Sequence, residues 1–504
     1  MRPSTWSRVD FYWPLLPLAV FVAYLFVMPP TADDVWWRLH SGDRILRTGQ
    51  VQSQNVWAYR DTHHEWVNHA AGHDLVAAAV HRVAGRRGLV FLYVLPMIWL
   101  AARVLRPFGR RPQRGDPRPL RGDRRDLAWG LFVPPLLAIH YALRPYVFSD
   151  VFFFIAMGIA ARWHDRETLS LRDALPVLGL FFLWGQLHGA VWPGVLFFGL
   201  FAMRWSRLAR LRLTEAPAEL WRLRWLALLP VAALANVNHW HGLLLAWRYA
   251  TGGHSWLTRL TEWQPAGSVV LLFAGAFAGG FVFAWRGRGF ATARLLPLWP
   301  LAVAGALQIR HLPWLVLGSV ALLQGADGER RADGQGTPEE TAATPDGVVD
   351  IWPVRHAGPL LGVLCVLLAL IPAFLHADRL EDPRFHPSSL YDRIEARCDP
   401  GVPLRVFTTH AWGGSLVHRF HGRLAPFLDA RNDCFSKETF DRYFRITRLL
   451  DGWYAVLLED RPDGAALPAA HPLVPQLLRH GWIRGAEAGH GVFLVSPGRG
   501  PLCR

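Results

Sequence analysis

Lysine is almost missing from this chain: of its 54 basic residues only Lys437 is a lysine, so the net charge of +15 rests on arginine. Cysteine is scarce too, with four in 504 residues, which excludes a disulfide scaffold. Cys365 lies inside an apolar run, and a Cys398–Cys434 bridge stays open if the C-terminal segment faces an oxidising compartment. The chain also lacks a Walker loop, an HExxH pair and a GxSxG elbow, which removes the common NTPase, zinc-protease and serine-hydrolase readings. GGHSW (252–256) and HAWGG (410–414) carry glycine pairs without the strand–loop–helix setting of a phosphate cradle. The histidine patches THH (62–64) and NHWH (238–241) have no acid or cysteine at ligand spacing, so no metal set is assigned, and a divalent metal is left open. No internal repeat is recognisable, which argues against a repeat-built transporter.

What the chain has is apolar length. Its residues are 52% hydrophobic, and these gather into blocks near bilayer-spanning size with arginine-rich stretches between them. The blocks predict spans at 11–29, 88–105, 127–143, 146–162, 173–187, 189–204, 225–238, 268–285, 295–309, 312–324 and 357–376. Taken together they make an α-helical polytopic membrane protein of about eleven transmembrane helices. Phe11–Pro29 follows a basic start but no small-residue cleavage site precedes Thr31, so it is read as a retained helix.

Orientation follows from arginine. Basic runs at 106–125, 204–224 and 286–294 fall on one face if every span is real, and that face is cytoplasmic. The same clustering explains the positive charge without nucleic acid. The N-terminus is then inside, while loop 30–87 and the tail 377–504 are outside. Segment 325–356, rich in Gly, Pro and Thr, reads as a disordered cytoplasmic linker before the last span at 357–376, leaving 1–324 as the membrane core.

Within loop 30–87, VWWRLHSGDRIL and HDLVAAAVHRVAG have helical apolar spacing, which suggests helices lying on the outer surface and anchored by Trp36, Trp37 and Trp66. The tail alternates strand-like runs (404–409, 424–430, 453–460, 491–497) with helical ones (389–396, 437–450, 472–480). Ser436 is placed to cap the second helix. This predicts a small C-terminal α/β domain, extracytoplasmic or periplasmic.

Polar residues at span ends collect on the outer face. Asp33 and Asp34 follow the first span, Arg144 the third and His188 the fifth; Glu262 precedes the eighth; Arg310 and His311 follow the ninth. Ionisable groups in or near hydrocarbon cost about 2.5–3.5 kcal/mol at a helix centre, so such a convergence points to a polar cavity with a purpose. Plainer readings stand beside it. Asp33 could cap the helix beginning at Val35, Arg144 could snorkel, and His188 could bond between helices. Asp429 and Arg431 in the tail read as a buried structural pair.

Several segments taken in order are familiar. TADDVWWRLHSGDRILRTG with HEWVNHAAGHDL, ALRPYVFS (142–149), FLWGQLHGAV (182–191), TEWQP (261–265), QIRHLPW (308–314), WGGSLVHRF (412–420) and PFLDARND (426–433) together resemble a bacterial membrane family with D-x-W-W, R-P-x-x-F-S, L-W-x-N-L-H-G, E-W-x-P, R-x-x-P, W-G-G and F-x-D-x-R elements. That family is similar to the GT-C glycosyltransferases, which include protein O-mannosyltransferases and aminoarabinose transferases. Two positions depart from its pattern: Arg38 stands where His is frequent, with His40 nearby, and Gln186 where Asn is frequent.

The resemblance implies a GT-C-like enzyme of the bacterial inner membrane with an outward-facing site. It would transfer a sugar from a polyprenyl-phosphate donor to an envelope lipid, protein or glycan, with inversion. Asp34, at the D-x-W-W position, would be the general base, with Asp33 beside it. Arg144, His188, Glu262, Arg310, His311 and His40 would bind substrate. No cofactor is called for, no nucleotide site is expected outside the cytoplasm, and membrane lipids are the remaining partners. Other classes fit the same residues: a non-catalytic protein that binds or scaffolds envelope lipids or glycans, a transporter, or a transferase of a lipid-borne phosphate group.

Overall fold

The structure is a computed structural model, and it describes residues 23–24, 34–104, 132–164, 166–205, 216–251, 259, 263–287, 292–332, 358–384, 386–397 and 403–498. Most of the first expected span and most of the expected linker lie outside these residues. Among the described residues these helices precede the first strand: α1 Val35–Thr48, α2 Ala71–Val104, α3 Val133–Leu137, α4 Tyr146–Trp163, α5 Leu171–Leu187, α6 Val191–Ala202, α7 Ala216–Arg222, α8 Leu228–Leu234, α9 Trp240–Ala250, α10 Ser268–Gly287, α11 Leu298–Leu307, α12 Leu312–Ala332, α13 Gly358–His376 and α14 Ser388–Arg397. Then come β1 Leu404–Thr408, α15 His410–Phe420, β2 Leu424–Pro426, α16 Lys437–Thr447, α17 Trp453–Glu459, β3 Gly464–Pro468, α18 Leu473–Arg479, β4 Ile483–Ala488 and β5 Gly491–Val495.

Among the described residues three helical segments are long and apolar enough to cross a bilayer: Ala71–Val104, Tyr146–Trp163 and Ser268–Arg286. Some expected spans are shorter than their apolar blocks. The described part of block 127–143, residues 132–143, forms α3 and a 3-10 turn Ala138–His140, with Pro134 at the helix start and Pro145 opening the next one. Block 225–238 divides into a 3-10 turn Arg224–Ala227 and α8. Helix α12 carries on to Ala332, past the linker boundary read from composition at 325.

The chain forms two compact units: Met1–Met28, Tyr93–Asn236 and Thr258–Pro372 in one, and Pro29–Leu92, Val237–Leu257 and Ala373–Arg504 in the other. In the first, α4 packs against α12, α6 and α5. Its buried face carries Phe153, Met157 and Ala160, with Phe153 stacked on Trp314 at 4.5 Å. Part of the basic run is internal here. Arg204 and Arg222 are buried around Glu219, with Arg204 Nε donating at 2.7 Å to Oε2. Arg222 also donates to the carbonyls of Trp163 and Ala202, both at 2.7 Å, satisfying the open C-terminal ends of α4 and α6.

The second unit holds a five-stranded sheet in the order β2-β1-β3-β5-β4. β1 runs parallel to β2 and β3, while β5 is antiparallel to β3 and β4. Ser436 caps α16 by accepting from the Thr439 N–H, as its sequence position predicts. The run 453–460, expected as a strand, is instead helix α17. Its Trp453, Val456 and Leu457 follow helical spacing and put Leu457 into the core. The run 424–430 is strand only through Pro426. β3, made of Gly, Ala, Leu and Pro, and β4 went unanticipated, because neither has the β-branched alternation that marks strands.

Loop 30–87 belongs to this same unit. The Tyr59 N–H donates to the Pro426 carbonyl at 3.0 Å, Asp61 accepts from the Ser436 N–H at 2.7 Å, and Arg60 pairs with Asp460 at 3.0 Å. Trp37, Trp57 and Trp66 share one core cluster with Phe427, Leu428 and Phe435. Trp36, Trp37 and Trp66 are 5%, 3% and 2% exposed, so they are packing residues of this unit and do not anchor flat helices to lipid, as their sequence positions suggested.

Candidate active site

In the first unit, polar and aromatic groups from four distant segments meet around the start of α4. Tyr146 is the hub. The Arg310 guanidinium lies 4.7 Å from its ring centroid and 4.1 Å from that of Trp263. His188, at the C-terminal end of α5, meets Tyr146 edge-on at 4.8 Å. Its Nδ1 is 2.7 Å from Ser149 Oγ, and Ser149 accepts from Trp184 Nε1 at 2.9 Å. His311 Nε2 donates to Gln308 Oε1 at 3.1 Å.

Two groups that sequence position did not single out complete the cluster. Asp150 and His140 are buried and lie 2.9 Å apart, Trp314 Nε1 donates to Asp150 at 2.9 Å, and His140 Nε2 reaches the Arg310 carbonyl at 2.7 Å. A carboxylate within the apolar run SDVFFF was a legible signal by its cost alone.

In the second unit, the D-x-W-W segment opens α1. Asp34 is buried, and its side chain does not cap the helix; Oδ1 instead accepts from Trp37 Nε1 at 3.3 Å. Arg38 pairs with the buried Asp74 at 3.0 Å, and Asp74 also accepts from Asn68 at 2.9 Å and lies 3.2 Å from His73 Nδ1. Gly42 permits this contact, since a Cβ there would stand 2.0 Å from the Asp74 carbonyl oxygen. Arg38 is thus committed to a buried pair. His40 packs edge-on to Trp57 at 4.8 Å, and burial, helped by His421 and nearby arginines, lowers its pKa to about 4. It is a neutral imidazole at neutral pH.

The W-G-G segment lies against α1. A Cβ on Gly413 would meet the Leu428 carbonyl at 2.3 Å, which only glycine avoids, and one on Gly414 would crowd Trp37 at 3.2 Å. Asp429 and Arg431 form a fully buried ion pair at 2.7 Å, and Arg431 also donates to Asn55 at 3.0 Å and covers the Trp57 and Trp66 rings at 4.3 and 4.8 Å. Cys434 is buried, and burial raises its thiol pKa. Cys398 lies outside the described residues.

The expected site residues therefore fall as follows. Arg310, His188 and His311 belong to the first-unit cluster, and Arg144 is half-buried just before α4. Asp34 and His40 share α1 in the second unit. Asp33 and Glu262 lie outside the described residues. Among the described residues no group of three or more His, Cys, Asp or Glu side chains is placed to hold a metal.

Fold and side chains together describe a largely helical unit and a mixed α/β unit, with segments long and apolar enough to cross a bilayer, a cationic, aromatic cluster in one unit and a buried carboxylate at a helix start in the other. No protein-family model and no curated protein matches the chain. Among solved structures, it is similar to ArnT from Cupriavidus metallidurans bound to undecaprenyl phosphate, at 14% identity over 97% of this chain and 99% of that one, with a TM-score of 0.49. The apo state of the same protein gives 14% identity, coverage of 96% and 98%, and a TM-score of 0.46. The apo oligosaccharyltransferase of Archaeoglobus fulgidus is 10% identical over 92% of this chain and 70% of that one, with a TM-score of 0.45. At such identities and scores these likenesses carry no functional weight, which rests on the residues.

Proposed function

We propose that this protein is a membrane glycosyltransferase that moves a sugar from a polyprenyl-phosphate donor to an acceptor at the outer face of the bacterial inner membrane. One observation carries the reading: the motif segments scattered along the chain assemble side by side within their units. In the first unit RPYVFS, WGQLH, EW and QIRHLPW contribute Tyr146, Ser149, Trp184, His188, Trp263, Arg310 and Trp314 to one cluster. In the second, DDVWW, HEWVNH, WGG and FLDARND meet through Trp37, Trp66, Gly414 and Arg431.

The chemistry suits those groups. Asp34 takes the acceptor hydroxyl proton as the acceptor oxygen bonds to the anomeric carbon. The bond from that carbon to the donor phosphate breaks, and the polyprenyl phosphate leaves with the electron pair. Arg310 and Arg144 supply donors and positive charge for the departing oxygens, Arg310 through a planar fork suited to phosphate, with His188 and His311 as polar neighbours that bind the substrate. One displacement inverts the anomeric centre. In this reading the amphipathic start of the second unit and its sheet lie outside the cell, and the sheet helps to hold the acceptor.

The test uses purified protein in lipid, a panel of polyprenyl-phosphate sugars and crude envelope acceptors. Mass spectrometry then follows free polyprenyl phosphate and the mass gained by the acceptor. Acceptor-dependent release with a hexose- or pentose-sized gain supports the reading. A phosphate-sized gain reassigns the transferred group, and no release from any donor leaves a lipid- or glycan-binding protein.

A further inference from the structure

Asp150 and His140 have no part in the bond changes above, yet they make the most heavily bonded ionisable pair in the first-unit cluster. Asp150 lies in the apolar helix α4 with its side chain 5% exposed. Its carboxylate faces His140 Nδ1 at 2.9 and 3.0 Å and accepts from Trp314 Nε1 at 2.9 Å. The other imidazole nitrogen, Nε2, is 2.7 Å from the main-chain carbonyl of Arg310. A carbonyl only accepts, so His140 Nε2 carries a proton and donates it. The carboxylate on the far side of the ring also only accepts, and the two acceptors together fix the ring plane, the way an acid orients an imidazole at many reaction centres.

The same pair reaches Arg310 by a second route. His140 stacks on Tyr146 at 5.1 Å with an interplanar angle of 24°, and the Arg310 guanidinium lies over that Tyr146 ring. The main chain of Arg310 is thus held by a hydrogen bond from His140, and its side chain rests on a ring that His140 supports. Face contacts of this kind set the plane of a guanidinium, and its N–H donors act within that plane.

We propose that Asp150 and His140 are positioning residues that hold the Ile309–His311 turn and aim Arg310 at a lipid phosphate. The lipid end of this inference rests on the function proposed above; the aiming of Arg310 does not.

Reach separates the variants that test it. An asparagine at 140 keeps a donor near the Nδ1 position, toward Asp150, and falls short of Arg310. A glutamine places its amide near Nε2 and keeps the bond to the Arg310 carbonyl. A phenylalanine keeps only the stack on Tyr146. Full-length protein in nanodiscs is titrated with undecaprenyl phosphate by native mass spectrometry, and amide exchange of the 308–312 peptide is followed in parallel.

His140→Asn and His140→Phe should weaken binding roughly 10- to 100-fold, the effect of losing a buried hydrogen bond, and should speed exchange at the His311 N–H. His140→Gln should stay within about threefold of wild type on both readouts, at matched thermal midpoints. Asn and Gln behaving alike, or Phe matching wild type in exchange, would overturn the proposal. If wild type does not bind the lipid, the proposed function falls instead, and exchange in the Asn and Gln variants still decides the positioning claim. Should His140→Phe fail to fold, the Asn–Gln comparison stands alone.

Discussion

Removing the charge of Asp429 while keeping its shape should destabilise the second unit by about 3–5 kcal/mol, the usual cost of leaving one member of a buried ion pair unmatched. The magnitude follows from how completely Arg431 is enclosed. Both side chains are 0% exposed, so no water can replace the lost partner. Asp429 accepts from Arg431 Nε at 2.9 Å, from Nη2 at 2.7 Å and from the Arg431 main-chain N–H at 2.9 Å. Asn55 takes one further bond, and two tryptophan rings cover the guanidinium. Asp429→Asn leaves a buried cation beside amides and aromatic faces, with the Asp433 carboxylate as a remaining counter-charge that makes no direct bond to it among the described residues. The double variant Asp429→Leu with Arg431→Met removes both charges and should recover most of the loss, because apolar replacement of a whole buried pair is often neutral. A protein of two units does not promise two-state unfolding, so the assay is local. Hydrogen exchange of peptides 428–435 gives the opening free energy of this region in wild type, each single variant and the double. A cost under about 1 kcal/mol for Asp429→Asn, or a double variant worse than either single one, would refute the reasoning.

Two other consequences can be measured on the same unit. Gly413→Ala should cost more than Gly414→Ala, about 2–3 kcal/mol against about 1, because the first Cβ meets main chain at 2.3 Å and the second meets Trp37 at 3.2 Å, a crowding that a shift of a few tenths of an ångström relieves; equal thermal losses would contradict that order. The unit should also weaken in acid. Burial lowers the pKa of His40 and of His386 to about 4 and of His418 to about 3, below the ordinary value of 6.5. The folded state keeps these rings neutral while the unfolded chain takes up protons, so their contribution is complete above pH 6.5 and falls away toward pH 4 and 3. Across that window the His40 and His386 rings are each worth at most about 3 kcal/mol and the His418 ring at most about 5 kcal/mol. His40→Gln, which cannot charge, should flatten the pH dependence of local opening, and a wild-type profile already flat between pH 7 and 4 would contradict the account.

Local signals carried a good part of this fold. Apolar blocks marked α4, α5 and α10, Ser436 marked the start of α16, and helical spacing marked α1. Long-range packing was not legible. Nothing periodic says that Trp57 and Trp66 share a core with Phe427, and the eye gives exposed-loop tryptophans to the lipid instead. In the tail, aromatic and β-branched content at 453–460 outweighed a helical spacing that the folded chain uses, while the small residues of β3 hid a central strand. Charge carried the opposite error: Arg204 and Arg222 counted as loop arginines, although Glu219 draws both inside. At the site, attention to span ends found Arg310 and His188 but passed over Asp150, whose position within an apolar helix was the stronger physical anomaly.

The most direct test of the proposed reaction is turnover by Asp34→Asn in lipid, with the best donor and acceptor found for wild type. Asparagine can still accept from Trp37 Nε1, so α1 keeps its contact while the basic carboxylate is lost. The account predicts that release of polyprenyl phosphate drops by about 10²–10⁴-fold, the range typical of a lost general base, with donor affinity little changed. Release at the wild-type rate would remove Asp34 from the chemistry and contradict the mechanism.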